Sequence, residues 1–252
     1  MEIVWHGTAS VEVRSTSGRI IFDPFVPLKG SRVDVKIEDY DGFTDIFVTH
    51  GHFDHIVNIP EIVARNPHTH VYCTETPYQT LVKKGVPKDN LKKITYGQIM
   101  EVNGFSIKTF HGRHAILPKA NPHIVLSILK SPQRSNLPYI LRENRLCPEN
   151  DEAVFYYIEA DGKSLSLMGS MNLRDSINYP ICADVLVLPY NGWDDNYPHA
   201  VEIIERLKPK KILLDHYDDT FPPLTGSLDL SPILQNYEGR IAPMELRRTY
   251  AI

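Results

Sequence analysis

The chain reads Thr49-His50-Gly51-His52-Phe53-Asp54-His55 directly after an apolar, strand-like run, and this stretch decides the fold. With 11 histidines among 252 residues, a run of the form H-x-H-x-D-H has roughly 10⁻³ chance occurrences in the chain. Residues two apart in extended backbone point the same way, so His50 and His52 can present their imidazoles to one metal ion. The turn through Asp54 and His55 supplies an oxygen and a third nitrogen nearby. The low frequency disfavours the alternative, a solvated histidine loop.

The composition is that of a globular protein, with 42% hydrophobic and 23% charged residues. The formal net charge of −4 gives no positive field that would gather nucleic acid or an anionic membrane, so we expect a small-molecule substrate, with a homo-oligomer possible. The three cysteines lack C-x-x-C spacing and indicate neither a disulfide framework nor a thiolate metal site. Neither a leader segment nor a long apolar segment is visible, which predicts a soluble, cytoplasmic protein.

The pattern of apolar residues predicts an α/β fold whose two halves repeat the same order. Each half begins with short β-prone runs joined by turns, and alternating strands and helices follow. The predicted strands are residues 2–5, 9–14, 19–22, 45–49, 70–74, 105–110, 153–159, 164–168, 183–188 and 211–214. The predicted helices are residues 56–64, 77–84 with Thr76 as N-cap, and 197–207.

Residues at about 117–151 break this order. Five prolines and mixed charges interrupt any regular pattern there, apart from the strand-like run 123–129. We interpret the segment as an irregular, Pro-rich insertion within a single domain that spans residues 1–252.

The histidine run, Ile21-Phe22-Asp23-Pro24 upstream of it, and Ile212-Leu213-Leu214-Asp215-His216 near the end together resemble the metallo-β-lactamase fold superfamily. Trp5-His6-Gly7-Thr8-Ala9-Ser10 and the Pro-rich segment after His216 are similar to its ascorbate-6-phosphate lactonase-like branch. The resemblance implies a four-layer αββα sandwich with a metal site at one edge of the two sheets. That architecture agrees with the β-α order.

The resemblance also implies a set of metal ligands. His50 and His52 match ligands of a first metal ion, whereas Asp54 and His55 match ligands of a second. The third ligand of the first metal should follow the strand 105–110, where two residues compete, His111 and His114. We prefer His114, because the family's ligand stands a few residues past the strand. The last ligand of the second metal matches His216.

One position departs from the family pattern. The family places a bridging aspartate after the strand that precedes the final β-α unit, and this chain has Ser170 there, in Gly169-Ser170. A neutral hydroxyl is a poor ligand for a hard cation, so the second site should lose charge and affinity. Three readings follow: one metal, two metals bridged by water or substrate, or a binding protein without catalysis. A nearby acid such as Asp215 can also take the place of the bridge.

The expected function is that of a metal-dependent hydrolase. One or two divalent metal ions, zinc or manganese, lower the pKa of bound water toward neutrality and so supply a hydroxide nucleophile. Asp54, which lies between two ligands, is the expected general base. We expect the substrate to be a small anionic ester, lactone or phosphoester. The alternative is a non-catalytic metal- or ligand-binding protein, because Ser170 replaces the bridging aspartate.

Several residues outside the histidine run have two interpretations each. Asp23 can hold the second nitrogen of a ligand histidine or form a turn, and His6 can face the site or be structural. Residues 190–193 can line the pocket or form an ordinary loop. The basic residues in and beside the insertion can clamp a phosphate or carboxylate or lie at the surface; they are Arg113, Lys119, Arg134, Arg142 and Arg145.

Overall fold

The computed structural model describes residues 1–116, 128, 130–193, 195–226 and 228–252, and in this part of the chain two seven-stranded β-sheets lie face to face. The strands of the first sheet are β1 (Glu2–Trp5), β2 (Val11–Arg14), β3 (Arg19–Phe22), β4 (Asp45–Phe47), β5 (His70–Cys73), β6 (Leu91–Lys93) and β14 (Thr249–Ala251). The strands of the second are β7 (Ile99–Val102), β8 (Phe105–His111), β9 (Val154–Ala160), β10 (Lys163–Met168), β11 (Val185–Pro189), β12 (Lys211–Asp215) and β13 (Ile241–Pro243).

Both sheets have the same mixed topology. The strand order is β14-β1-β2-β3-β4-β5-β6 in the first sheet and β13-β12-β11-β10-β9-β8-β7 in the second. In the first sheet β14, β1, β2 and β3 pair antiparallel, and β3 to β6 pair parallel. In the second, β7 to β10 pair antiparallel and β10 to β13 pair parallel. The two halves therefore repeat one plan, as the order of apolar runs predicts.

Helices cover the outer face of each sheet. They are α1 (Phe53–Ile56), α2 (Ile59–Arg65), α3 (Glu75–Lys83), α4 (Leu137–Leu146), α5 (Asn196–Leu207) and α6 (Ser231–Asn236). Apolar side chains of α1 to α4 pack on the first sheet and those of α5 and α6 on the second. A third apolar cluster fills the space between the sheets. The predicted four-layer αββα sandwich is confirmed.

Helix α5 shows how the sequence specifies its own place. Ala200, Ile203, Ile204 and Leu207 are its buried residues, and their spacing forms one apolar stripe. The Asp195 carboxylate caps the first turn by accepting a hydrogen bond from the backbone N–H of Tyr197. The helix therefore packs on the sheet along this stripe.

Three local predictions differ from the structure. The helix predicted at residues 56–64 is divided into α1 and α2, with a break at Val57 and Asn58. Helix α3 begins at Glu75, with Thr74 rather than Thr76 at the N-cap position. The hydroxyl of Thr76 instead donates to the Glu152 carboxylate at 2.6 Å, so a distant residue uses the group that would have capped the helix. The insertion is not irregular throughout, because ten of its residues form α4. The strand predicted at 123–129 falls largely outside the described residues.

Within the described part of the chain, no helix is both long and apolar enough to cross a bilayer.

A buried acid stabilises the first sheet away from the histidine run. Glu12 on β2 is 1% exposed, and its carboxylate contacts Nε of Arg14 at 2.7 Å and Nε2 of His6 at 3.0 Å. Burial raises the pKa of Glu12, but the bonds to His6 and Arg14 outweigh burial and lower it to about 2. His6 is therefore structural.

The Glu12 cluster predicts a pH-dependent contribution to stability. Because the pKa of Glu12 is lower in the folded than in the unfolded chain, this contribution is present above the unfolded value and is lost as pH falls toward 2. Glu12→Gln should lower the free energy of unfolding by about 2 kcal/mol at pH 7, and by much less at pH 3. Urea unfolding at both pH values measures the difference, with the exposed Glu101→Gln as control. An equal loss at both pH values would contradict the assignment.

Candidate metal centre

The predicted site residues follow strands of both sheets. Asp23 follows β3, His50 follows β4, His114 follows β8, Ser170 follows β10 and His216 follows β12. Strands β3 and β4 are parallel, and β8, β10 and β12 share one direction in the other sheet. Their carboxyl ends therefore meet at one edge of the sandwich, where binding sites form in parallel sheets.

Three histidines form a first group at this edge. One ring nitrogen from each of His50, His52 and His114 lies within 4.8 Å of the others. Nε2 of His50 is 3.3 Å from Nδ1 of His52, and the His114 ring centroid is 4.5 Å from that of His52. The structure thus gathers imidazoles from two distant parts of the sequence.

A second group lies beside the first. Ligand atoms of Asp54, His55 and His216 also lie within 4.8 Å of one another. Oδ2 of Asp54 is 3.3 Å from Nε2 of His216 and 3.5 Å from Nε2 of His55. The ring centroids of His50 and His55 are 3.9 Å apart, so the two groups are adjacent. All six predicted ligands therefore come together.

The spacing of the first group fits a divalent cation. Two nitrogens bound about 2.05 Å from a tetrahedral metal ion lie roughly 3.3 Å apart, and His50 and His52 show that separation. Burial and the neighbouring histidines lower the pKa of His50 well below its usual value, and burial and His114 lower that of His52 to about 4. Both imidazoles are therefore neutral at pH 7, as a metal ligand must be.

The second group holds an ion pair where its ligand atoms converge. Burial raises the pKa of the Asp54 carboxyl, but His55 and His216 outweigh burial and hold it well below its usual range. Burial likewise opposes protonation of His216, yet the hydrogen bond and charge of Asp54 raise its pKa to about 9. At neutral pH a cation that binds here must displace the proton of His216.

Asp23 holds the second nitrogen of His55. Its Oδ2 lies 2.7 Å from Nδ1 of His55, and its Oδ1 accepts the backbone N–H of Thr49 at 2.8 Å. With Nδ1 donating to Asp23, Nε2 of His55 is free to face Asp54. The structure thus favours the supporting role of Asp23 over a simple turn.

Loss of the Asp23 carboxylate should weaken metal binding. In Asp23→Asn the amide no longer fixes the Nδ1–H form of His55, so we expect metal affinity to fall about 10- to 100-fold. Competition with a chromophoric chelator measures the affinity, and Asp184→Asn, which removes a carboxylate far along the second sheet, is the control. Unchanged affinity in a folded Asp23→Asn protein would show that Asp23 does not support the centre.

His111 lies outside both groups. Its ring stacks on Tyr96 with centroids 4.0 Å apart, and its Nε2 contacts the backbone carbonyl of Asp151 at 2.9 Å. His114 instead uses Nδ1 to donate to the carbonyl of Ala115 at 2.6 Å, which leaves Nε2 for the centre. Of the two competing histidines, the structure brings His114 to His50 and His52.

Ser170 faces the same cavity as the six ligands. Its Oγ accepts the backbone N–H of Ala115 at 2.9 Å. Asp215, the acid expected to replace the missing bridge, belongs to neither group. It is 1% exposed, and Oδ1 of its buried carboxyl has no partner among the described residues. Among the described residues, no second carboxylate therefore joins Asp54 in either group.

Gly169 lets the two halves of the chain meet behind the site. A Cβ at Gly169 would lie 1.8 Å from Oγ1 and 2.2 Å from Cβ of Thr49. Thr49 in turn donates its N–H to Asp23 and accepts the N–H of Val154, which begins β9. This close contact joins the loop after β4 to the loop after β10.

The cavity at the site has a volume of about 480 Å³. Of the residues 190–193, which had two interpretations, Asn191, Gly192 and Trp193 line it, while Tyr190 is buried. Sequence reasoning missed Asn144 of α4 and the segment after His216, which contributes Phe221, Leu224 and Thr225. The proline content after His216 was the only sequence signal for that segment, and no sequence pattern indicated Asn144.

The basic residues for which an anion clamp or a place at the surface was open do not reach this lining in the described part of the chain. Arg142 pairs with Glu143 at 2.8 Å. Arg113, Arg134 and Arg145 are absent from the described lining, and Lys119 lies outside the described residues.

A family model for the β-lactamase superfamily domain matches residues 18–217 of the sequence. The chain belongs to the β-lactamase superfamily. The predicted membership is thereby confirmed, and the lactonase-like branch stays a prediction.

Relatives within this superfamily match along most of their length. The chain is 25% identical over 232 residues to a UPF0173 metal-dependent hydrolase of Roseiflexus castenholzii, covering 90% of this chain and 86% of the relative. It is 25% identical over 225 residues to the UPF0173 metal-dependent hydrolase YtkL of Bacillus subtilis, covering 88% and 87%.

Solved structures share the fold. Igni18, a metallo hydrolase of Ignicoccus hospitalis, has a TM-score of 0.65 at 18% identity, with 100% of this chain and 98% of that chain covered. An isothiocyanate hydrolase from Delia radicum gut bacteria has a TM-score of 0.63 at 15% identity, covering 100% and 99%.

Proposed function

We propose that this β-lactamase superfamily protein is a metal-dependent hydrolase that cleaves a small ester, lactone or phosphoester with an activated water molecule. The convergence of two ligand groups in one cavity supports this function most directly. The names of the full-length relatives agree with it. Nucleic acid is not expected as a substrate, given the net charge of −4.

The two ligand groups indicate which cations can bind and what chemistry a bound cation would supply. His50, His52 and His114 would hold one divalent ion, zinc or manganese, and Asp54, His55 and His216 a second. When bound, such a cation acts as a Lewis acid and makes water acidic enough to attack near neutral pH. Mixed nitrogen and oxygen ligands accept either metal.

Asp54 is the residue placed to handle the proton. Its carboxylate lies in the cavity and, held ionised by His55 and His216, is an acceptor throughout the neutral range. It can orient the attacking water by accepting its hydrogen bond and then take or pass its proton.

Ser170 supplies a donor to the same cavity. Because its Oγ accepts the N–H of Ala115, its hydroxyl hydrogen is free to point at an oxygen in the cavity. A donor there stabilises negative charge that develops on the substrate during attack. The serine thus replaces a bridging charge with a hydrogen bond.

Metal content and turnover together test the proposed function. Elemental analysis of the purified protein, with and without added zinc or manganese, gives the stoichiometry. Hydrolysis is then screened on lactones, carboxylic esters, thioesters and phosphodiesters. Metal-dependent turnover supports the proposal, and a metal-loaded protein without turnover on any class would overturn it.

Ser170 also motivates a second candidate, a metal- or ligand-binding protein without catalysis. With Asp54 as the only carboxylate of the two groups, the second site carries less negative charge than a bridged pair of metals needs. Tight metal binding without turnover would favour this candidate.

Restoring the carboxylate should raise the metal content. In Ser170→Asp the new carboxylate faces the cavity beside both groups, so we expect the stoichiometry to rise toward two metals per chain. Elemental analysis after dialysis against a fixed free-zinc concentration measures it, with the uncharged Ser170→Asn as matched control. Unchanged metal content in Ser170→Asp would mean that residue 170 does not face the ligands.

A further inference from the structure

One wall of the cavity consists of aromatic and aliphatic side chains. Phe53, Phe221 and Leu224 line it. The rings of Phe53 and Phe221 pack edge to face with centroids 5.4 Å apart, which fixes both. Leu224 is 42% exposed and lies free toward the cavity. This side of the cavity offers surface for apolar groups.

Trp193 also lines the cavity, and two contacts hold its side chain in place. Its ring stacks on His199 with centroids 3.7 Å apart, and its Nε1–H donates to the backbone carbonyl of Met171 at 2.7 Å. Because its only polar atom is already bonded, the indole presents apolar surface to the cavity.

The polar lining away from the ligands carries no charge among the described residues. It consists of Asn144, Ser170, Asn191 and Thr225. The hydroxyl oxygen of Thr225 already accepts a hydrogen bond from the backbone N–H of Phe221 at 3.0 Å. Away from the metal ligands the described lining has no cationic side chain, so a carboxylate or phosphate placed here would lose its hydration without gaining an ion pair, which is costly.

Two exposed apolar residues lie close in the chain to residues at the cavity. Ile116, 63% exposed, follows Ala115, whose Cβ lies 2.9 Å from the place a Cβ on Gly192 would take. Leu141, 66% exposed, precedes the lining residue Asn144 by one helical turn on α4 and so shares its face.

We propose that the part of the substrate remote from the reacting bond is uncharged and apolar, an alkyl or aryl group that packs between Trp193 and Leu224. This inference rests on the proposed hydrolase function and narrows the expected substrate, because the described lining away from the metal ligands offers no cationic side chain to a remote anionic group. The bound cation would act only on the group that is cleaved.

Esters with one leaving group and different acyl parts test the inference in the zinc-loaded protein. From p-nitrophenyl acetate through butanoate to hexanoate, kcat/KM relative to the uncatalysed rate should rise about two- to fourfold per methylene. The p-nitrophenyl half-ester of glutarate, of similar length with a remote carboxylate, should be at least about tenfold poorer than hexanoate. If phosphodiesters are the class cleaved, p-nitrophenyl phosphodiesters with alkyl or carboxyalkyl groups make the same comparison. Preference for the charged member would overturn the inference.

A charge placed on the wall should reverse the preference. Leu224→Arg should raise kcat/KM for the glutarate half-ester about tenfold and lower it for hexanoate. Ile181→Arg, at a residue 59% exposed and outside the lining, is the matched control and should change neither. Equal effects of both variants would contradict the placement of the acyl group.

Binding separates this inference from the proposed function. Of the two tryptophans, Trp5 is 3% exposed, so fluorescence changes report on Trp193, with Trp193→Phe as control. Hexanamide should shift the emission at concentrations at least about tenfold below those of glutarate. Absence of turnover with this binding preference would overturn only the hydrolase function. Turnover without the preference would overturn only the apolar substrate.

Discussion

Replacing His114 with alanine is expected to abolish metal-dependent hydrolysis, with a loss of about 10³-fold or more in kcat/KM. His114 is the ligand of the first group that follows a strand of the second sheet, and without it only His50 and His52 remain in that group. Two imidazoles hold a divalent cation far more weakly than three. Elemental analysis and initial rates on the same preparation measure both losses.

His111→Ala is the matched control for this prediction. His111 ends β8 and His114 lies three residues further on, but His111 stacks on Tyr96 and contacts Asp151 instead of the centre. We expect His111→Ala to keep its metal and most of its activity. Loss of metal in His111→Ala together with retention in His114→Ala would reverse the assignment of the third ligand.

Asp54→Asn is expected to lower kcat by about 10²- to 10⁴-fold. The amide keeps the shape of the side chain but removes the charge that accepts the proton, and it also removes the partner that keeps His216 protonated. Rate measurements at saturating zinc separate the lost base from weakened metal binding. The exposed Asp41→Asn, which removes a carboxylate paired with Arg65 at 2.7 Å, is the control.

The outcome that would contradict this role is specific. If Asp54→Asn binds metal tightly and retains the activity of the unaltered protein, Asp54 is not the general base. A fall in metal content with unchanged kcat at saturating zinc would leave Asp54 as a ligand alone.

The local part of the site was predictable from the sequence. His50 to His55 occupy six consecutive residues, so the strand before them and the turn within them already fix most of their geometry. The β-α order was readable for the same reason, since apolar periodicity is a local property. His216 required the family resemblance, because a single histidine at a strand end has no pattern of its own.

The long-range part was not predictable from local pattern. His111 and His114 lie three residues apart, and only the position of Tyr96 and Asp151 decides which of them turns away. The start of α3 depends in the same way on Glu152, 76 residues further along the chain. Such choices depend on which side chains tertiary packing brings within reach.

The contact between Gly169 and Thr49 limits which segments this chain can exchange with its relatives. Any side chain at residue 169 would displace Thr49, and with it the carboxylate that orients His55. A chimaera would join the first half of this chain to the second half of a homologue. Unless the homologue has glycine at the position of Gly169, the chimaera would keep the metal ligands but misalign them. Recombination between relatives is thus restricted by this close contact, which a comparison of the catalytic side chains alone would not show.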